Sequence, residues 1–289
     1  MANRKFPTYP QILSNFSTHM DDFMRHPYLY NIAPFRIIGN IYYVGDTKVC
    51  IHLIDTGDGL ILIDTGYPTA DILYINNIYE MGFDPHDIKY IIHTHEHYDH
   101  FGATPAFVKM YGCKTMMSRA GWEALQRNPL ISMHHDVSYA HCDPAELHMD
   151  ILIDDGDTFT LGNTTLTFRA SPGHAEGVLT IFVDTVEDGK TYRCALFGGA
   201  TTITMYREHC LKYGIPLTIR DDFINSINSL RGLPVDVVLG NHPNQNRTVE
   251  KRREMLENPG TNPFIDPTEW DRFLEETHSS FLEFLEFDC

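Results

Sequence analysis

The sequence predicts an α/β protein built as a layered sandwich. Three observations carry that expectation. Strand-like runs occur in both halves of the chain, helix-like segments are interspersed among them, and the strand runs are short and mostly close on glycine. "FRIIGNIYYVG" (35–45), "VCIHLIDTG" (49–57) and "GLILIDTG" (59–66) are β-branched or aromatic and end at turn residues. "DILYINNIYEMG" (71–82) fits a helix ending at a glycine cap. "IKYIIHT" (88–94) reads as a strand and "TPAFVKMYG" (104–112) as the next helix. "TLGNTTLTFRAS" (160–171), "LTIFVDT" (179–185), "YRCALFGG" (192–199) and "VDVVLGN" (235–241) are the later strands. "DPTEWDRFLEETHSSFLEFLEF" (266–287) is the clearest amphipathic helix, with Asp266 as N-cap and Pro267 in the first turn. Residues 1–33, rich in aromatics and proline, form an N-terminal extension expected to wrap the surface. No repeat, low-complexity tract or Gly/Ser linker interrupts the chain, so residues 1–289 read as one domain.

Composition narrows the function. The chain has 289 residues, 43% hydrophobic and 21% charged, which is enough for a sizeable core. Its formal net charge is −17, from 39 acids against 22 bases, so a polyanion is repelled. The best basic run, "KRRE" (251–254), reads as a solvated helix face, and nucleic acid is excluded as a partner. No stretch approaches the ~20 apolar residues of a membrane helix, so no membrane partner is expected. The first residues, "MANRKFPTYPQILSNF", lack an apolar signal core, which places the chain as it stands in the cytoplasm; if a leader has been removed, the periplasm is expected. Six scattered cysteines without a C-x-x-C are expected to be free thiols.

The segment "HTHEHYDH" (93–100) carries the chemistry. His95, His97, Asp99 and His100 form H-x-H-x-D-H. If the chain stays extended after "IKYIIHT", residues 95, 97 and 99 share one side, and two imidazoles can grip one ion. If the chain turns at Asp99, that carboxylate and His100 address a second ion alongside. Imidazole nitrogen and carboxylate oxygen suit Zn²⁺. His93 lies on the strand side and reads as structural. Glu96 and Tyr98 are off the pattern and are expected to point away from the metal or to stand behind its ligands. Four ligands cannot complete two sites, so donors must come from elsewhere. His174 in "SPGHAEG" and His242 in "VVLGNHPN" stand in strand-end loops, where a rigid scaffold positions functional groups. The remaining histidines, among them His141 and the "MHHD" stretch (133–136), have no comparable setting.

"LIDTG", H-x-H-x-D-H, "PGH" and a late His after a strand together resemble the metallo-β-lactamase superfamily. The resemblance implies a four-layer αββα sandwich with the metal site at the edge of two facing sheets, and makes Asp64 a structural acid behind the ligands. "APFRIIGNIYYVG" (33–45) and "NPFIDPTEW" (262–270) are similar to the third, B3-type, subclass of zinc β-lactamases. First-subclass members have Arg where this chain has His100, and a zinc-binding Cys where it has Ala200. Lactonase-like members usually carry a bridging Asp after the strand that ends in "LFGG", yet no acid occurs between Leu196 and Arg207. The resemblance therefore implies two zinc ions per chain, one on His95, His97 and His174, the other on Asp99, His100 and His242. It further implies a small-molecule hydrolase in which a metal-bridging hydroxide opens the amide of a β-lactam ring. Asp99 would be the catalytic residue that orients the nucleophile and passes a proton. Thr201, Thr202 and Thr204 are candidates for binding a substrate carboxylate. The alternative is a cytosolic zinc hydrolase of another lactone, ester or amide. That subclass is typically exported, so the resemblance speaks for the chemistry more than for an antibiotic-resistance role.

Overall fold

A computed structural model describes residues 6–136 and 142–289. The chain begins with helix α1 (Tyr9–Arg25). There follow strands β1 (Phe35–Ile38), β2 (Ile41–Tyr43), β3 (His52–Asp55) and β4 (Leu60–Ile63). Helix α2 (Asp71–Glu80) leads to β5 (Ile88–Ile92). Helices α3 (Tyr98–Phe101) and α4 (Thr104–Tyr111) lead to β6 (Lys114–Ser118), and α5 (Arg119–Arg127) to β7 (Ile151–Ile153). These seven strands form one sheet in sequence order. β1 to β4 pair antiparallel; β4 to β7 pair parallel, which is why a helical crossover follows each strand there.

The second sheet contains β8 (Thr158–Leu161), β9 (Thr164–Ala170), β10 (Leu179–Glu187) and β11 (Lys190–Phe197), paired as an antiparallel meander. Helices α6 (Arg207–Tyr213) and α7 (Ile219–Leu230) then carry the chain to β12 (Val237–Leu239), parallel to β11. Two helices close the chain, α8 (Thr248–Glu257) and α9 (Glu269–Phe287).

Side-chain alternation turns these elements into four layers. In β4, Leu60 and Leu62 face an outer cluster with Leu73, Tyr74 and Phe107 of the helices. Ile61 and Ile63 face the other way, into an inner cluster shared with Leu166, Phe168, Ile181 and Val183 of the second sheet. In β11, Cys194 and Leu196 join the inner cluster, while Ala195 and Phe197 face Phe223, Trp270 and Phe281 of the second helical layer. A strand buried on both faces reads as an unbroken apolar run, as "LILI" does. The result is the expected αββα sandwich.

Several details correct the sequence reading. "FRIIGNIYYVG" is two strands, because Gly39 adopts φ 50° and turns the chain back on itself. "TLGNTTLTFRAS" is likewise a hairpin, turning at Gly162 with φ 51°. The N-terminal segment does not merely wrap the surface. α1 opens with a capping box in which Thr8 N–H donates to Gln11 Oε1 at 2.9 Å, and it buries Phe23 completely. Asp266 is not the cap of the last helix, which starts later, at Glu269, after Thr268; Asp266 instead accepts from Thr268 N at 2.9 Å in the turn before it. "KRRE" lies on α8, but Lys251 is buried rather than solvated. It pairs with Glu269 of α9 at 2.5 Å, and losing one partner of such a pair costs about 3–5 kcal/mol. All six cysteines are free thiols.

β4 and β5 run in one direction, and so do β9, β11 and β12. Their carboxyl ends therefore gather at one edge of the sandwich, and the loops that follow them carry Asp64, residues 93–100, His174, Thr201 and His242.

Candidate metal centre

After β5 the chain does not stay extended. Residues 94–97 bend, and α3 begins at Tyr98 with His97 as its N-cap. His95 and His97 thus precede the turn, whereas Asp99 and His100 sit within it. That splits the motif into two groups, the second of the two geometries its spacing allowed.

The first group is His95, His97 and His174, all buried; the second is Asp99, His100 and His242. Each group offers three ligand atoms lying within 4.8 Å of one another. The two groups abut through His95 and His100, whose ring centroids are 4.2 Å apart. His95 and His97 touch most closely, Nε2 to Nδ1 at 2.9 Å. His242 Nε2 and His100 Nε2 lie 3.7 Å and 3.5 Å from Asp99 Oδ2.

In three of the rings the outer Nδ1 has a partner that fixes its tautomer. His174 Nδ1–H donates to the Thr201 carbonyl at 2.9 Å, and His242 Nδ1–H to the Lys48 carbonyl at 2.7 Å. His100 Nδ1 meets Asp64 Oδ2 at 2.7 Å. In all three rings Nε2 is left to face the other donors. Asp64 is buried with φ 61°, a left-handed conformation that costs an L-residue strain. There its carboxylate also accepts Thr94 N and Thr94 Oγ1, both at 2.8 Å.

Electrostatics keep most of these rings neutral. Burial, reinforced by neighbouring imidazoles, holds His95 and His97 well below the ordinary histidine range. Burial takes His174 down to about 4 and lowers His242 as well. His100 is the exception: burial opposes its charge, but the Asp99 and Asp64 carboxylates outweigh burial and raise it. Neutral imidazole is the form that coordinates a cation.

Glu96, as expected, points away from the donors, and the structure gives it a task. It is buried, both carboxylate oxygens accept the Gly177 N–H at 3.1 Å, and so it ties the bend that carries His95 and His97 to the loop that carries His174. Burial pushes it up to about 7. Only glycine fits here, because a Cβ on Gly177 would lie 2.2 Å from the Gly121 Cα. Tyr98 is buried, packs edge-on against Tyr67, and forms part of the cleft wall. His93 is wholly buried, with Nε2 3.4 Å from Thr104 Oγ1, and belongs to neither group. In "MHHD", Met133 lines the cleft, while His134 contacts Ser132 and His135 contacts Tyr213. His141 lies outside the described residues.

Both groups open into a cleft of about 440 Å³. Of the three threonines, Thr201 lines it. Thr204 is buried and donates to the His174 carbonyl at 2.5 Å, so it supports His174 rather than facing the cleft. Thr202 starts the next turn, its carbonyl accepting Met205 N at 2.9 Å. Lys48, Asn241 and Thr94 were not singled out by sequence. Asn241 Nδ2 donates to the Gly198 carbonyl at 2.9 Å and lies 3.3 Å from His100 Nδ1. Asn241 and Thr94 carry one local signal, adjacency to His242 and His95, and Lys48 carries none.

The family model of the metallo-β-lactamase superfamily matches residues 44–186. Among solved structures, a subclass B3 metallo-β-lactamase of Bradyrhizobium japonicum is 29% identical, over 90% of this chain and 96% of its own, with a TM-score of 0.78. A metallo-β-lactamase of Legionella gormanii is 25% identical over 90% of this chain and 97% of its own, with a TM-score of 0.80. A class B3 di-zinc metallo-β-lactamase from an Alaskan soil metagenome is 26% identical, covering 89% and 95%, with a TM-score of 0.74. Among curated relatives, an N-acyl homoserine lactonase of a Bacillus species is 26% identical over 167 residues, 50% of this chain and 61% of its own. The chain spans about 60% of the length of the curated relatives it matches.

Proposed function

We propose that this chain, a hydrolase carrying a metallo-β-lactamase superfamily domain, uses two zinc ions to open the amide of β-lactam rings. The observation that carries the reading is the pair of adjoining three-donor groups, His95/His97/His174 and Asp99/His100/His242. The donor set fits zinc: nitrogen and carboxylate oxygen, three per ion, leaving one position open for chemistry. When bound, a zinc pair supplies Lewis acidity and water with a pKa of about 7.

The chain's own groups do the rest. Thr201, Lys48 and Asp64 hold three imidazoles with Nε2 turned toward the shared centre. Asp99, at the cleft face, accepts a proton from the attacking water and returns it to the leaving nitrogen. Tyr67, Met133 and Ile203 supply an apolar wall that limits competing water.

Two observations favour a β-lactam. The likeness to B3 enzymes spans nine-tenths of the chain, whereas the lactonase match spans half. No acid lies between Leu196 and Arg207, so no carboxylate from that segment bridges the two groups. The lactonase relatives support a second reading, hydrolysis of a lactone ester. Zinc-loaded protein should open nitrocefin and benzylpenicillin, lose that activity to EDTA and regain it with added zinc. Turnover of an N-acyl homoserine lactone without either β-lactam would establish the second reading, and activity indifferent to rigorous chelation would refute both.

A further inference from the structure

We propose that Lys48 selects anionic substrates, its ammonium binding the carboxylate of the ring compound whose bond the centre breaks. This rests on the hydrolase reading above and adds the substrate's charge to it. Among the described residues of the cleft wall, Lys48 is the one cationic side chain apart from the histidines, and Asp99 the one acid. With a net charge of −17, the molecule as a whole repels an anion, so an anionic substrate needs a local cation to enter.

The loop fixes Lys48 beside the cleft and next to His242. Asp46, two residues earlier, accepts Lys48 N at 2.6 Å and Val49 N at 2.9 Å on one oxygen and Tyr74 Oη at 2.6 Å on the other. Thr47 N donates to the Tyr30 carbonyl at 2.9 Å, so the segment after α1 pins the loop from outside. The Lys48 carbonyl accepts His242 Nδ1–H at 2.7 Å, which couples the loop directly to a ligand histidine. The side chain itself makes no ion pair with a described carboxylate. Its Nζ lies over the Tyr30 ring, 4.7 Å from the centroid, and Tyr30 is steadied by its own bond to Asp22 Oδ2 at 2.6 Å.

That resting contact is easily exchanged. A cation over an aromatic face at a half-exposed site is held weakly, and a charge-assisted hydrogen bond to a carboxylate is stronger. Thr47 and Thr201 stand in the same wall with hydroxyls to share the carboxylate, and Tyr67, Met133 and Ile203 offer apolar surface to the rest of the molecule. The preferred substrate is therefore a ring amide or ester that bears a carboxylate and an apolar arm. An uncharged lactone would gain nothing from Lys48.

The test compares benzylpenicillin with its methyl ester on zinc-loaded wild type, Lys48→Met and Lys48→Arg. Lys48→Met should lower kcat/KM for the acid about tenfold or more, through KM, with kcat within about twofold. The ester should lose several-fold less than the acid, and Lys48→Arg should restore most of the acid's loss. Added salt should weaken the acid's advantage in wild type but not in Lys48→Met. If the enzyme opens lactones and not β-lactams, the same pair is read as competitive inhibitors of lactone turnover. The acid should then inhibit more strongly than the ester, and Lys48→Met should erase the difference. Zinc content and melting temperature of each variant separate misfolding from lost recognition. Acid and ester affected alike in well-folded Lys48→Met, or no competition by benzylpenicillin at all, would overturn the proposal.

Discussion

Replacing Asp99 with Asn lowers kcat by about 10²–10⁴-fold, the range a positioned general base supplies. The carboxylate stands between two imidazoles, Oδ2 lying 3.5 Å from His100 Nε2 and 3.7 Å from His242 Nε2. Asn keeps the shape and one oxygen donor but cannot take up a proton. Zinc at His95, His97 and His174 should survive, because all three of those donors are left in place, whereas the second ion should be held more weakly. Steady-state kinetics together with metal analysis check both halves. A variant within tenfold of wild type would remove Asp99 from the chemistry.

Asp64→Ala is the second large effect, and it acts without touching the cleft. The Asp64 carboxylate accepts three donors, Thr94 N, Thr94 Oγ1 and His100 Nδ1, in a fully buried setting. Alanine would remove the acceptor of all three, at about 1–3 kcal/mol for each buried group left unsatisfied. It would also place an ordinary residue at φ 61°, which costs about 1–2 kcal/mol. His100 would lose the partner that sets its orientation, and outer partners of this kind are worth about 10–100-fold in metal affinity. Asn tolerates the left-handed backbone and retains one acceptor, so Asp64→Asn should fall between wild type and Asp64→Ala. Denaturant unfolding and zinc titration of the three proteins give the ranking. Equal zinc affinity in all three would mean that His100 does not depend on Asp64.

The six clustered side chains are legible because their signals are local. H-x-H-x-D-H is a spacing, and His174 and His242 follow apolar strands that end in turn residues. The layered fold was legible for the same reason, since "LILI" and "VDVVLGN" announce buried strands by composition. What escaped is non-local. The Lys48 carbonyl and His242 are 194 residues apart in the chain, and Glu96 and Gly177 are 81 apart. Lys251 looked solvated within "KRRE" until Glu269 of the last helix closed over it. The two hairpins look like single runs in sequence because Gly39 and Gly162 reverse the chain without breaking the β-branched composition around them. Thr204 resembled Thr201 in sequence, but one turn of chain puts the first under His174 and leaves the second at the cleft.

The assignment of two zinc ions to these six side chains is tested most directly by diffraction at the zinc edge from zinc-loaded crystals, paired with metal analysis of the same sample. Two anomalous peaks per chain are expected, one within bonding distance of His95, His97 and His174, the other of Asp99, His100 and His242. A single peak, or ions bound away from these residues, would contradict the account.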